Sequence, residues 1–418
     1  MLPGICLNVI IEKKIRGRET MNPVKKTYCR IFQAVMKAAL PVLPYRDPIL
    51  LNGMQAVADT LCKEQKKQVI LVTDSVIRGL GLTKPLEELL QTSGIECIVF
   101  DETTANPTVA NVEKARELYL QNNCQAIIAF GGGSPMDCAK ALGARIARPD
   151  KPLSKMEGLL KVGKKTPLLI AIPTTAGTGS ETTLAAVITD EKTHHKYPIN
   201  AFYLIPDYAV LAPEVTVGLP PHLTATTGMD ALTHAMEVYI GRTMTKETKE
   251  AAIEAIRLIL ANLEEAYTNG TNLEARKNML RASFLAGTAF SKSYVGYVHA
   301  VAHSLGGKYG IPHGLANAVL LPHVLRAYGN SVTKRLAELA YFTGVAAEQD
   351  NEDMAAEKFI CKIEDMNRSM KIPDKLEGVK TEDVAELARY ADKEANPLYP
   401  VPRLWDAEGL KEIYKRII

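Results

Sequence analysis

The run QAIIAF (125–130) empties directly into Gly131-Gly132-Gly133-Ser134 and then into a helical segment whose opening carries Pro135 and Asp137. A strand that ends in a glycine turn and restarts as a helix sends the chain back over the sheet, so its next strand returns parallel. The pattern recurs. QVILVTD (68–74), IECIVF (95–100) and PLLIAI (167–172) are further short β-branched or apolar runs. Helical spacing separates them: Pro85 stands where a helix begins, and Val109, Val112 and Leu118 follow Thr108, a suitable N-cap. The first half is therefore expected to be an α/β fold with a doubly wound parallel sheet.

Beyond about Pro213 the period-two pattern stops. TKETKEAAIEAIRLILANLEEAY, LEARKNMLRASFLAGTAFS, GLANAVLLPHVLRAYG and VAELARYADKE read as helices. The expected organisation is an N-terminal extension (1–45) with a short amphipathic piece (Ile31, Val35, Leu40), an α/β domain (46–212) and an all-helical domain (213–418). The cleft between two such domains is a common ligand site.

Composition removes several classes. Fifty basic against 47 acidic residues leave a formal charge of +3, and no basic block is interleaved with aromatics, so nucleic acid is not an expected partner. No apolar run reaches the ~18 residues of a membrane helix. The seven cysteines are scattered without a CxxC pair, which suits a reducing, cytoplasmic setting better than a disulfide framework. In MLPGICLNVIIEKKIRGRET the apolar run precedes the basic cluster, the reverse of a secretory leader.

Two loops point to an anionic ligand. Gly131–Ser134 lets backbone approach closely and offers the N–H groups of a helix start to a phosphate; the same residues would also make a plain tight turn. Met136 breaks the GxGxxG fingerprint, and the GK[ST] ending of a P-loop is missing. Thr174, Thr175, Gly177, Thr178, Gly179 and Ser180 form a second such loop after the next strand. In a parallel sheet both would open on one edge, where dinucleotides bind. Asp74, ending an earlier strand, could accept ribose hydroxyls and repel a 2′-phosphate, favouring NAD, or could simply form a turn.

Four of the eight histidines are grouped. TTGMDALTHAME sets Asp230 and His234 four residues apart on one helix face, and GYVHAVAHSLGGKYGIPHG adds His299, His303 and His313. A carboxylate among imidazoles suits a divalent first-row metal. The lack of HExxH argues against a zinc protease. His194, His195, His222 and His323 have no such companions and read as surface or packing residues.

GGGSPMDCAKALG, IPTTAGTGSE, GMDALTHAME and HAVAHSLGGKYGIPHGLANAVLLPH together resemble the iron-containing (group III) alcohol dehydrogenase family, from about residue 46 through NPLYPVPRLWDAEGLKEIY. The resemblance implies an N-terminal dinucleotide-binding domain and a helical C-terminal domain, dehydroquinate synthase-like, with the metal between them. It implies Asp230, His234, His299 and His313 as ligands of Fe2+, a donor set that would also take Zn2+. It places His303 near the nicotinamide, in proton transfer or cofactor placement. It gives Asp74 the ribose, Gly132, Gly133 and Ser134 the pyrophosphate, and Asn106, Thr174, Thr175, Thr178 and Lys196 further NAD contacts. Asp137 matches a motif position whose role is to hold the loop or favour the helix start. The implied activity is metal-assisted hydride transfer between small primary alcohols or diols and aldehydes, by a homodimer or higher homo-oligomer. A glycerol dehydrogenase-like enzyme and a non-catalytic nucleotide- or metal-binding module are the rival readings. Residues 1–45, and the single Gly53 of the first turn, depart from the family pattern.

Overall fold

The structure, a computed structural model, describes residues 21–193 and 195–418; the N-terminal run considered above as a leader, Cys6 and His194 lie outside the described residues. Nine strands come first: β1 (Ile49–Leu51), β2 (Gln68–Val72), β3 (Glu96–Phe100), β4 (Ala126–Gly131), β5 (Gly158–Leu159), β6 (Leu168–Pro173), β7 (Ala185–Asp190), β8 (His195–Asn200) and β9 (Tyr208–Val210). Six helices precede or interleave with them: α1 (Pro23–Ala39), α2 (Gln55–Lys63), α3 (Ser75–Gly79), α4 (Lys84–Thr92), α5 (Val109–Gln121) and α6 (Gly133–Ala147). The rest is helical: α7 (Pro221–Ile240), α8 (Lys246–Thr268), α9 (Leu273–Ser293), α10 (Tyr297–Tyr309), α11 (His313–Tyr328), α12 (Thr333–Phe342), α13 (Glu352–Ser369), α14 (Val384–Ala395) and α15 (Ala407–Ile417).

The main sheet has the order β1-β9-β6-β4-β2-β3, and every pairing in it is parallel. Its central strands β4 and β6 are apolar throughout because both faces are covered, whereas the edge strands β1 and β3 are partly exposed. Alternate residues of the central strands feed two separate cores. Val72, Ile127, Ala129 and Ala171 pack on one side with Val112 and Leu142 from α5 and α6. Leu71, Ile128, Phe130 and Ile170 pack on the other with Leu61, Leu86 and Leu90 from α2 and α4. The doubly wound expectation is met. Thr108 caps α5 through a capping box with Asn111.

A second sheet was not foreseen. β7 and β8 pair antiparallel, and β5 adds to β8. Asp190 Oδ1 accepts from Lys192 N and Thr193 N, an Asx turn that starts the reversal. The hairpin leans on the Asn106-Pro107-Thr108 turn, with Thr189 N donating to Pro107 O.

The N-terminal piece is an amphipathic helix, as expected, but its apolar stripe lies outward. Ile31 and Val35 of α1 are about 60% exposed (60% and 62%), and the face turned inward carries Cys29 and Gln33. Gln33 Nε2 donates to Tyr399 O and Pro397 O, and Arg30 donates to Val401 O and Pro402 O. The proline-rich segment 397–402 forms no helix or strand, and α1 meets several of its carbonyls with side-chain donors. The helix is held by polar bonds, which hydrophobic spacing does not reveal. Leu40 is buried as expected.

No described helix is long and apolar enough to cross a membrane, and the six described cysteines form no disulfide with one another.

Candidate cation centre and cofactor crevice

Strands β4 and β6 are neighbours in register, Gly131 opposite Pro173, so their loops leave the sheet side by side. Thr174 N donates to Gly131 O, and the chain at Gly132 and Gly133 runs against Thr175 and Thr178. The two loops expected to open on one edge of the sheet lie side by side there. Helix α6 starts at Gly133 behind N-cap Gly132, which brings no side-chain cap, so its first N–H groups are left for another acceptor. Ser134 stands in that first turn.

Asp137 falls at the fifth residue of α6, past the first turn in which the sequence reading put it. Its carboxylate accepts from Ser180 Oγ (3.3 Å) and Val187 N (3.1 Å), holding the second loop. Lys140, missed in the sequence, completes that clamp. Its buried ammonium donates to Ser180 Oγ, Thr183 O, Thr183 Oγ1 and Ala185 O at 2.8 to 3.1 Å. Burial draws Lys140 down to about 8, against the pull of Asp137 and Glu181. Burial also pushes the Glu181 carboxyl up to about 7 and Asp137 up to about 6.

Asn106 and Lys196 are brought together by the hairpin, Lys196 Nζ donating to Asn106 Oδ1 at 2.7 Å. Asp74 sits at the carboxyl end of β2 and is the N-cap of α3, its Oδ1 accepting from Val76 N and Ile77 N. The turn-forming alternative is thus realised. It occupies Oδ1.

The second loop also reaches the helical half. A Cβ on Gly177 would lie 2.7 Å from Thr227 O and 2.9 Å from Thr227 Cα, so only glycine permits this contact. Thr227 is three residues before Asp230 on α7, which fixes the crevice against the helix carrying the next group of residues.

Asp230 and His234 come from α7, His299 from α10, and His313 is the first residue of α11. One ligand atom from each lies within 4.8 Å of all the others. His313 Nε2 is 3.4 Å and His299 Nε2 3.8 Å from Asp230 Oδ1. Phe290 of α9 stacks on His234 at 4.1 Å, and His234 stacks on His299 at 4.4 Å. Burial alone would raise Asp230, but His234, His313 and His299 beside it hold its carboxyl well below the usual range. Burial pulls His234 down to about 4, and His299 well below its ordinary value. Burial thus disfavours a proton on His234 and His299, which stand with His313 around one carboxylate. His234 Nδ1 and Asn317 Oδ1 are buried without a hydrogen-bond partner among the described residues. Four donors this close together can share one ion. The residues fit a divalent first-row cation.

His303 lies beside this group, stacked on His313 at 5.1 Å and edge-on to His299 at 5.9 Å. Its Nδ1 is 2.6 Å from Glu394 Oε1 of α14, which also accepts from Tyr399 OH. Burial lowers His303, but Glu394 more than offsets this and raises it above its ordinary value.

Three partners of the centre escaped the sequence reading. Glu237 holds His299, Asn317 Nδ2 donates to Asp230 Oδ1 at 2.6 Å, and Glu394 holds His303. For two of them helical spacing was the available signal: Glu237 is one turn past His234, and Asn317 one turn past His313. His195, His222 and His323 stand away from the centre as expected; His195 pairs with Glu157 and His323 meets Asp374 O.

A family profile described as "Iron-containing alcohol dehydrogenase" matches residues 51–213, and one for the "Fe-containing alcohol dehydrogenase family, C-terminal" matches residues 224–418. The 1,3-propanediol dehydrogenase of Citrobacter freundii is 40% identical over 370 residues, covering 87% of this chain and 95% of that protein. A crystal structure of 1,3-propanediol oxidoreductase superposes with TM-score 0.86 at 36% identity, over 90% of this chain and 99% of the other. Sulfoacetaldehyde reductase from Bifidobacterium kashiwanohense, solved in complex with NAD+, gives 0.80 at 29% identity over 89% and 98% of the two chains.

Proposed function

Because the chain belongs to the iron-containing alcohol dehydrogenase family, we propose that it is an NAD-dependent dehydrogenase interconverting short-chain primary alcohols or diols and aldehydes, with Fe2+ or Zn2+ on Asp230, His234, His299 and His313. The convergence of these four side chains from three helices carries the reading. When bound, the cation supplies electrophilic stabilisation of the substrate oxygen, and the nicotinamide supplies the hydride acceptor.

The chain's own residues do the rest. The uncapped start of α6, with Gly132, Gly133 and Ser134, faces a pyrophosphate, and Thr174, Thr175 and Thr178 offer hydroxyls from the adjoining loop. Lys196, anchored on Asn106, adds a positive charge at the same edge. Glu394 holds the proton on His303 Nδ1, leaving Nε2 to exchange a proton with the substrate hydroxyl. Asp74 keeps Oδ2 for the ribose while Oδ1 caps α3.

The test is NADH absorbance with a panel of short alcohols and diols, before and after chelation and after iron or zinc is returned. Turnover lost on chelation and regained with metal is expected. Inactivity with every alcohol and both metals would favour a nucleotide- or metal-binding module instead.

A further inference from the structure

Helix α10 begins at Gly296, an N-cap with no side chain to satisfy the orphan N–H groups of the first turn. They are satisfied from another helix. Glu237 of α7, buried to 4% exposure, accepts Val298 N on Oε1 at 2.7 Å and Gly296 N on Oε2 at 2.7 Å. The same Oε2 lies 2.6 Å from His299 Nδ1. The fit is close: a Cβ on Gly296 would fall 2.7 Å from Glu237 Oε1, so the carboxylate occupies the space a side chain would need.

Burial pushes the Glu237 carboxyl up to about 8, while the hydrogen bonds it accepts pull it back down; with each oxygen already accepting a backbone N–H, the third contact asks the imidazole for a proton on Nδ1. The other nitrogen, Nε2, points to Asp230 Oδ1 and to Asn317 Nδ2. We propose that Glu237 is a positioning residue for the cation centre: it fixes the Nδ1–H tautomer of His299, leaves the Nε2 lone pair for the cation, and ties that ligand to the start of α10. This rests on the metal reading above. A carboxylate behind a ligating histidine orients the ring and raises its basicity. Here the same carboxylate is also the cap of the helix that carries the histidine, so ligand geometry and helix register are set by one group.

Glu237→Gln tests it with nearly unchanged volume. An amide has one acceptor oxygen where the carboxylate has two: with N–H on the Oε2 side it donates to His299 Nδ1 and sends the ring proton to Nε2, the atom needed for coordination, and with oxygen there it sets an N–H against that of Val298 and loosens the start of α10. Co2+ affinity of the metal-free protein should fall about 10- to 100-fold, with a changed visible Co2+ absorption band. Nitrogen NMR of histidine-labelled, metal-free wild-type protein, assigned by the signals missing in His299→Ala, should show the proton on Nδ1. That measurement decides the matter even where Glu237→Gln fails to fold. A wild-type proton on Nε2 overturns the proposal. So does a Glu237→Gln protein that loses thermal stability yet binds Co2+ with unchanged affinity and band, since Glu237 would then only cap the helix. Wild-type protein that takes up no Co2+ would instead sink the metal reading, while the tautomer still reports on Glu237.

Discussion

The crevice edge of the sheet and the centre beside it are built by opposite means. At the sheet edge main-chain N–H groups and small hydroxyls face outward beside Asp74 and Lys196, while Asp137 and Lys140 are turned inward to hold the loops and Glu181 is buried with them. In the helical half the backbone is sealed inside α7, α10 and α11, and only side chains face one another. A backbone site is robust to side-chain loss and sensitive to glycine replacement. A side-chain site is the reverse. Each suits its ligand: a delocalised pyrophosphate can be met by many weak donors, whereas a cation needs a few lone pairs in fixed places.

The largest expected effect follows from that contrast. His234→Ala removes one donor of the side-chain site and leaves the loops intact. Metal content should be lost and turnover should drop below about one thousandth, roughly 4 kcal/mol of transition-state stabilisation, while NADH binding followed by fluorescence stays near wild type. His303→Ala should split the two readouts, retaining metal and losing turnover. Joint loss of metal and dinucleotide binding in His234→Ala would show that the two regions are one structural unit and break the comparison.

A smaller effect tests whether the inward charges of the sheet edge are structural. Glu181 is fully covered, with Oε1 lacking a partner among the described residues, and burial raises its carboxyl from 4.5 to about 7. A carboxyl raised on folding holds its proton more tightly in the native state. Its contribution is complete below about pH 4.5 and is lost as pH climbs to about 7. Over that interval wild-type protein should lose about 3 kcal/mol of stability relative to Glu181→Gln. Urea midpoints at stepped pH measure this; parallel pH curves for the two proteins would show Glu181 to be matched by charge or water.

The same contrast explains what was readable in the sequence. The parallel strands could be recognised because each is a continuous apolar run, a consequence of burial on both faces, and the loops because glycine has few other reasons to cluster after a strand. Asp230, His234, His299 and His313 stood out by type and helical spacing. The β7–β8 hairpin was hidden because its faces are half covered and its turn depends on Asp190 bonding its own backbone. Lys140 and Glu394 were hidden for another reason: Ser180 and His303, the partners that tie them to the site, lie 40 or more residues away. The apolar stripe of α1 was legible but not the side it buries, where Arg30 and Gln33 meet carbonyls that a hydrophobicity pattern does not register.

Asp74 stands where the two construction rules overlap, one side chain asked to serve both backbone and ligand. Oδ1 accepts from Val76 N and Ile77 N and caps α3, so replacement by alanine would mix loss of the cap, about 1 kcal/mol, with any loss of ribose recognition. Asp74→Ser separates them, because serine caps nearly as well and carries no charge. If the carboxylate also meets the ribose, the variant should keep wild-type thermal stability while kcat/KM shifts toward NADP, from relief of repulsion with the 2′-phosphate. The shift should appear mainly in KM, since the ribose is remote from the reacting carbon and its contacts act equally on ground and transition states. Unchanged discrimination at unchanged stability would reduce Asp74 to a helix cap, and the sheet edge would then be a site made of main chain and hydroxyls, with no acidic side chain reading the cofactor.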